Sequence, residues 1–91
     1  MNKEDLKKRL KELAVRTTKL CIKLQANTIN RGYIGQIVRC SSSSAANYRA
    51  ACRGKSKADF INKLKIVEEE LDETIFFMKC WLSLMQDIKM N

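Results

Sequence analysis

Catalysis needs side chains that hold a metal, carry protons or attack a substrate, and this sequence offers few of them. It has no histidine, which removes the commonest general base and the mixed Cys/His zinc sites. The four cysteines, Cys21, Cys40, Cys52 and Cys80, form no CxxC pair. They read as small apolar core residues in a reducing compartment. Glu69 and Glu73 stand one helical turn apart, the spacing of a carboxylate metal site, but no Glu-x-x-His partner accompanies them. A solvated or arginine-paired face is the better reading. No Gly-rich phosphate loop is present. The expectation is a protein without catalytic residues, metal or cofactor, and not an enzyme.

What remains is cationic. The 91 residues carry a net charge of +8, unevenly placed. Residues 1–65 hold 16 Lys/Arg against four acids, a net of +12, and residues 66–91 hold two against six, a net of −4. The basic part suits an acidic polymer such as RNA or DNA. Equally, basic and acidic parts of neighbouring subunits could meet each other. The candidates for phosphate contact are Arg31, Arg49, Arg53, Lys55 and Lys57, because guanidinium forks match phosphate oxygens. The opposing reading pairs the arginines with the acidic stretch of residues 68–73. No base-reading motif is visible, so binding would be phosphate-dominated, weakly sequence-selective and salt-sensitive.

The elements that must position these residues are helices. There is no Pro and there are only three Gly, with 31% charged residues, a composition of long helices. Helices are expected over about 3–25, 31–53 and 57–88, in one domain spanning 1–91. Asn2 to Asp5 reads as an N-cap with a carboxylate at N3. Leu6, Leu10, Leu13, Thr17, Leu20 and Leu24 form the apolar stripe of the first helix. Asn30 is the expected cap of the second, whose core stripe is Ile34, Ile37, Val38, Ser41, Ala45, Tyr48 and Cys52. The run Ser41–Ser44 reads as helix and not linker, because the apolar period stays in phase across it. A second face carries Gln36, Arg39, Cys40, Ser43, Asn47 and Ala50, with Asn47 in reach of Ser43. Gly54 is the expected C-cap, and Ser56-Lys57-Ala58-Asp59 opens the third helix. There Phe60, Leu64, Val67, Leu71, Ile75, Met78, Leu82 and Met85 form the stripe, and past Leu71 the apolar band covers most of the circumference. Such a helix is buried on more than one side, so another subunit or a fourth helix is expected to cover it. No apolar run approaches the ~20 residues of a membrane span, so a soluble cytoplasmic protein is expected.

Three segments of this pattern resemble the four helix bundle protein family, which includes the proteins encoded in intervening sequences of bacterial 23S rRNA genes. They are Gln36-Ile37-Val38-Arg39-Cys40-Ser41-Ser42-Ser43, Ala46-Asn47-Tyr48-Arg49-Ala50-Ala51, and Ser56-Lys57-Ala58-Asp59-Phe60 followed by Leu64, Glu70 and Glu73. A related member is the accessory variability protein of diversity-generating retroelements. The resemblance covers nearly the whole chain. It implies an all-α fold, an up-down antiparallel bundle assembling into a homo-oligomeric ring, commonly a pentamer. Only three long helices fit here, with the family's fourth absent or short. It also implies nucleic-acid association through basic surfaces, and for the retroelement relative a partnership with a reverse transcriptase.

Two functions follow as expectations. The first is an oligomeric, non-enzymatic nucleic-acid-binding protein. The alternative is a structural adaptor that docks a protein partner such as a reverse transcriptase and uses its basic face for assembly. Gln36, Arg39, Ser43, Asn47, Glu70, Glu73, Phe77 and Trp81 are then expected in polar packing or at a subunit interface, since a buried Ser/Asn pair needs partners.

Overall fold

The computed structural model of the protein describes residues 1–23 and 27–90, with side chains for all of these except 29 and 88–90. The described residues form three helices and no strand: α1 (Lys3–Lys23), α2 (Thr28–Cys52) and α3 (Lys57–Met90). The 34 residues of α3 rise about 51 Å, which spans the 53 Å long axis of the molecule. Leu24 of the expected stripe, the expected helix end at Gln25, and Ala26 lie outside the described residues.

Local chemistry sets the helix ends. The Asp5 N–H donates to Asn2 Oδ1 at 2.9 Å and the Asn2 N–H donates to Asp5 Oδ2 at 3.3 Å, a reciprocal capping pair. The cap of α2 is Asn27 and not Asn30: the Asn27 backbone is extended and its Oδ1 accepts the Asn30 N–H at 2.8 Å. The helix therefore starts three residues earlier than its apolar period implied, and Asn30 is buried inside it. At the far end the cap is Arg53 and not Gly54. No glycine has positive φ, so Gly54 is there for room. A Cβ on it would stand 3.0 Å from the Ala51 carbonyl oxygen, which accepts the Gly54 N–H. Ser56 Oγ then accepts the Asp59 N–H at 3.1 Å and starts α3.

Two apolar clusters hold the helices together. One joins Leu10, Tyr48 and Val67, with Leu6, Ala45, Cys52, Leu64 and Leu71 against it. The other joins Cys21, Ile37 and Trp81, with Tyr33, Ile34, Val38, Phe77, Met78 and Met85 against it. Between them α2 buries Cys40, Ser41 and Ser44 completely, and Thr17 and Thr74 are buried on α1 and α3. The Ser44 hydroxyl donates to the Ser41 carbonyl at 2.7 Å and Thr74 Oγ1 donates to the Glu70 carbonyl at 2.7 Å. Their polar atoms are thus satisfied on their own helices, and the serine run is helical throughout.

Several stripe residues sit elsewhere than expected. Leu13 is 38% exposed and Leu20 46%; on α3 Ile75 is 53% and Leu82 54%. The lines that meet α2 are instead Leu10–Thr17–Cys21 on α1 and Val67–Thr74–Trp81 on α3. A wide apolar stripe has two flanks, and each outer helix has only one neighbour to cover them. Among the described residues α2 packs against both α1 and α3, but no Cα of α1 comes within 8 Å of one in α3.

Candidate nucleic-acid interface

The predicted cations separate into two places. Arg49 and Arg53 end α2, Lys55 lies in the turn and Lys57 begins α3, so four of the five gather at one end of the molecule. All four are exposed. Lys3 adds to them, its Nζ 5.1 Å from the centre of the Phe60 ring. Lys3, Gly54, Lys55, Ser56, Lys57 and Phe60 line a shallow concavity there. The first N–H groups of α3 open into the same region, and a helix N-terminus favours anions. Arg31 is exposed on the same face of α2 as Arg49, but 18 residues earlier, roughly 27 Å away along the helix. It does not join the cluster.

The acidic stretch of α3 meets a different arginine from the three weighed in the sequence. Arg39 Nη1 lies 3.4 Å from Glu70 Oε2 and Nη2 lies 3.1 Å from Glu73 Oε2. Arg39 Nε also donates to Gln36 Oε1 at 3.2 Å. Among the described residues Arg31, Arg49, Arg53, Lys55 and Lys57 form no ion pair; the only others paired are Lys7 and Glu4. Arg39, Glu70 and Glu73 are among the residues expected in polar packing or at a subunit interface, but spacing alone does not pair them, because the two acids lie 31 and 34 residues from Arg39 and only the α2–α3 packing joins them.

Cys40 belongs to the same group. Its thiol donates to Glu73 Oε2 at 3.3 Å and Arg39 Nη2 approaches its sulfur at 2.9 Å. The ligand atoms of Cys40, Glu70 and Glu73 lie within 4.8 Å of one another, so the acids gathered here are Glu70 and Glu73, not Glu69 and Glu73. Burial, then the hydrogen bond to Glu73, pushes the Cys40 thiol up to about 11. A thiol that keeps its proton is a poor ligand and a poor nucleophile, and Arg39 already occupies the carboxylates. The arrangement is an ion-paired polar contact between two helices.

Of the remaining predicted residues, Asn47 donates from Nδ2 to the Ser43 Oγ at 3.0 Å and to the Ser43 carbonyl at 2.9 Å. That pair is satisfied within α2 and needs no neighbouring subunit. No buried side-chain nitrogen or oxygen among the described residues lacks a partner. Trp81 is only 2% exposed and its indole N–H donates to Asn30 Oδ1 at 3.2 Å. It is a core residue of its own chain and has no surface left to offer a subunit. Phe77 is half-buried, edge-on to Tyr33 at 6.4 Å and to Phe76 at 5.5 Å. No family model, curated protein or solved structure matches the chain. No helix among the described residues is long and apolar enough to cross a membrane.

Proposed function

We propose that the chain is a non-enzymatic, cytoplasmic, oligomeric helical-bundle protein that binds nucleic acid, RNA in preference to DNA, through the basic end formed by Arg49, Arg53, Lys55 and Lys57. The observation that carries this reading is the division of labour among the arginines. Glu70 and Glu73 of α3 are taken by Arg39, and among the described residues the cations at the 53–57 turn form no ion pair and stand exposed around a helix N-terminus. Unneutralised cations clustered on rigid helix ends are suited to phosphate oxygens. The place in the four helix bundle family rests on the resemblance carried by Gln36 to Phe60 with Leu64, Glu70 and Glu73.

The cluster residues run 10 to 21 in α1, 48 to 37 in α2 and 67 to 81 in α3, which supports an up-down antiparallel course. The resemblance points to a ring of subunits.

Fluorescence anisotropy against labelled single-stranded RNA, structured RNA and duplex DNA at two salt concentrations tests the reading. Affinity is expected to fall steeply with salt. Replacing Arg49 and Arg53 together should lower it and reduce the log–log salt slope by about 1.4 on a single strand, the loss of two phosphate contacts. Absence of binding at low salt by the folded protein would leave the basic end to a protein partner, as in the adaptor reading.

A further inference from the structure

The last acid of α1 is Glu12 and the next in the chain is Asp59. The 46 residues between them, 13–58, hold nine Lys and Arg and no acid. The fold lays this stretch out as the second half of α1 packed against the whole of α2. The three acids of α1 stay in its first half. Glu4 is held by Lys7 at 3.0 Å, the Asp5 carboxylate accepts the Asn2 N–H, and Glu12 stands beside Lys8 and Lys11. Among the described residues of the acid-free stretch, only Arg39 reaches the carboxylates of α3.

One side of the α1–α2 seam gathers the cations left over. On α2, Arg31 and Arg49 are five full turns apart, and Ser42, seven residues before Arg49, lies on nearly the same side. Ser42 borders Ala14, Val15, Thr18 and Lys19 of α1, so the arginine row runs beside α1. Lys11 stands seven residues before Thr18 and four before Val15, on that side of α1. Leu10 shares a cluster with Tyr48, and Cys21 with Ile37. By these levels Lys11 stands beside residue 47 and Lys19 beside residue 39. Measured from Arg53 along the helices, Arg49, Lys11, Lys19 and Arg31 then come at roughly 6, 9, 21 and 33 Å. All five are exposed, and none forms an ion pair among the described residues. Arg31, too far away to join the basic end, is the far terminus of a straight line of charge that starts there.

The line has the length and the chemistry for a double helix. Its 27 to 33 Å, from Arg49 or Arg53 to Arg31, is roughly one duplex turn, after which the same strand returns to the same side. The seam between the ends is shallow, and Thr18 and Ser42 place hydroxyls on it that can donate to phosphate or 2′-hydroxyl oxygens. Unpaired strands are held largely by aromatic faces on which bases stack. Of the six aromatic residues, none faces this seam. Tyr48 and Trp81 are buried, Tyr33 and Phe76 pack on Phe77 of α3, and Phe60 lies beneath Lys3.

We propose that the α1–α2 seam, from Arg53 to Arg31, is a docking line for one side of a nucleic-acid duplex about one turn long, an RNA stem under the reading above. The inference rests on that reading and narrows its ligand from nucleic acid in general to the paired form, held by backbone contacts.

Fluorescence anisotropy with an RNA stem-loop, duplex DNA and unpaired RNA of equal nucleotide number tests it, and the first two separate the sources of the duplex. The stem should bind about tenfold tighter than the unpaired strand at moderate salt. Lys19→Gln with Arg31→Gln, both remote from the basic end, should lower the log–log salt slope on the stem by about 1.8, the loss of two phosphate contacts, and narrow the preference for paired RNA. Lys65→Gln with Lys79→Gln removes the same charge from exposed positions of α3 and should leave the slope near the wild-type value. Circular dichroism verifies that each variant is folded. Equal or tighter binding of the unpaired strand would overturn the proposal. A Lys19/Arg31 variant that behaves like the α3 variant, while loss of Arg49 and Arg53 still weakens binding, would overturn the seam and leave the basic end standing. A folded wild type that binds none of the three ligands at low salt would overturn both.

Discussion

The two seams of α2 are built from different forces. Its seam with α3 has apolar contact and also directional bonds: Arg39 to Glu70 and Glu73, Cys40 to Glu73, and Trp81 to Asn30. Its seam with α1 rests, among the described residues, on apolar contact, with Leu6, Leu10 and Cys21 against the clusters. Hydrophobic burial is non-directional, so it draws α1 in without fixing it as firmly. The hydrogen-bonded pair α2–α3 is the more sharply specified unit, and α1 is the element attached to it.

The largest test of that contrast is Trp81→Ala. It removes a fully enclosed ring and the partner of Asn30, and should cost about 3–5 kcal/mol, read from chemical denaturation, with hydrogen exchange accelerated in all three helices. Leu10→Ala should cost about 2–5 kcal/mol, with the faster exchange confined first to α1 amides, a local opening below the global one. Uniform acceleration in that variant would show that the two seams break together. Arg39→Ala should lower stability less than either of these, because its side chain is 51% exposed and water replaces part of what is lost. Smallest is a pH effect on the α2–α3 seam. Cys40 binds its proton more tightly folded than at its ordinary value of 9.0. Its contribution is therefore complete below pH 9 and is lost as pH rises towards about 11. Denaturation across that range should show a shallower fall in Cys40→Ala than in the wild type.

Helix number, the Asn2 cap and the turn at Ser56 were legible because each depends on residues within four positions of one another. Thr17 and Tyr48 were also read correctly as core, since they stand in the middle of their stripes. The errors fall on stripe edges. Leu13 and Leu20 have the right spacing for a core, but spacing does not say whether a neighbour exists on that flank; Ile75 and Leu82 lie in the band past Leu71 that was expected to need cover from outside these three helices. Cys40, Ser44 and Thr74 are buried without a strongly apolar side chain, because close helix contact favours small residues there. Asn30 was mistaken for a cap because its cap-forming chemistry serves Trp81 instead, 51 positions away. The basic end could be assembled from sequence because Arg49 to Lys57 are contiguous. That Arg39 and not Arg49 answers the acids of α3 needed the packing of two distant helices.

The buried hydroxyls of α2 have one more consequence. Ser41 and Ser44 spend their hydrogen bonds on carbonyls of their own helix, at Val38 and Ser41, and so leave the buried middle of α2 a smooth, short-sided track. No bond need break when one helix slips lengthwise on such a track. Over this stretch the helices are held by shape alone, so what fixes their axial level is the side chains of the two clusters at either end.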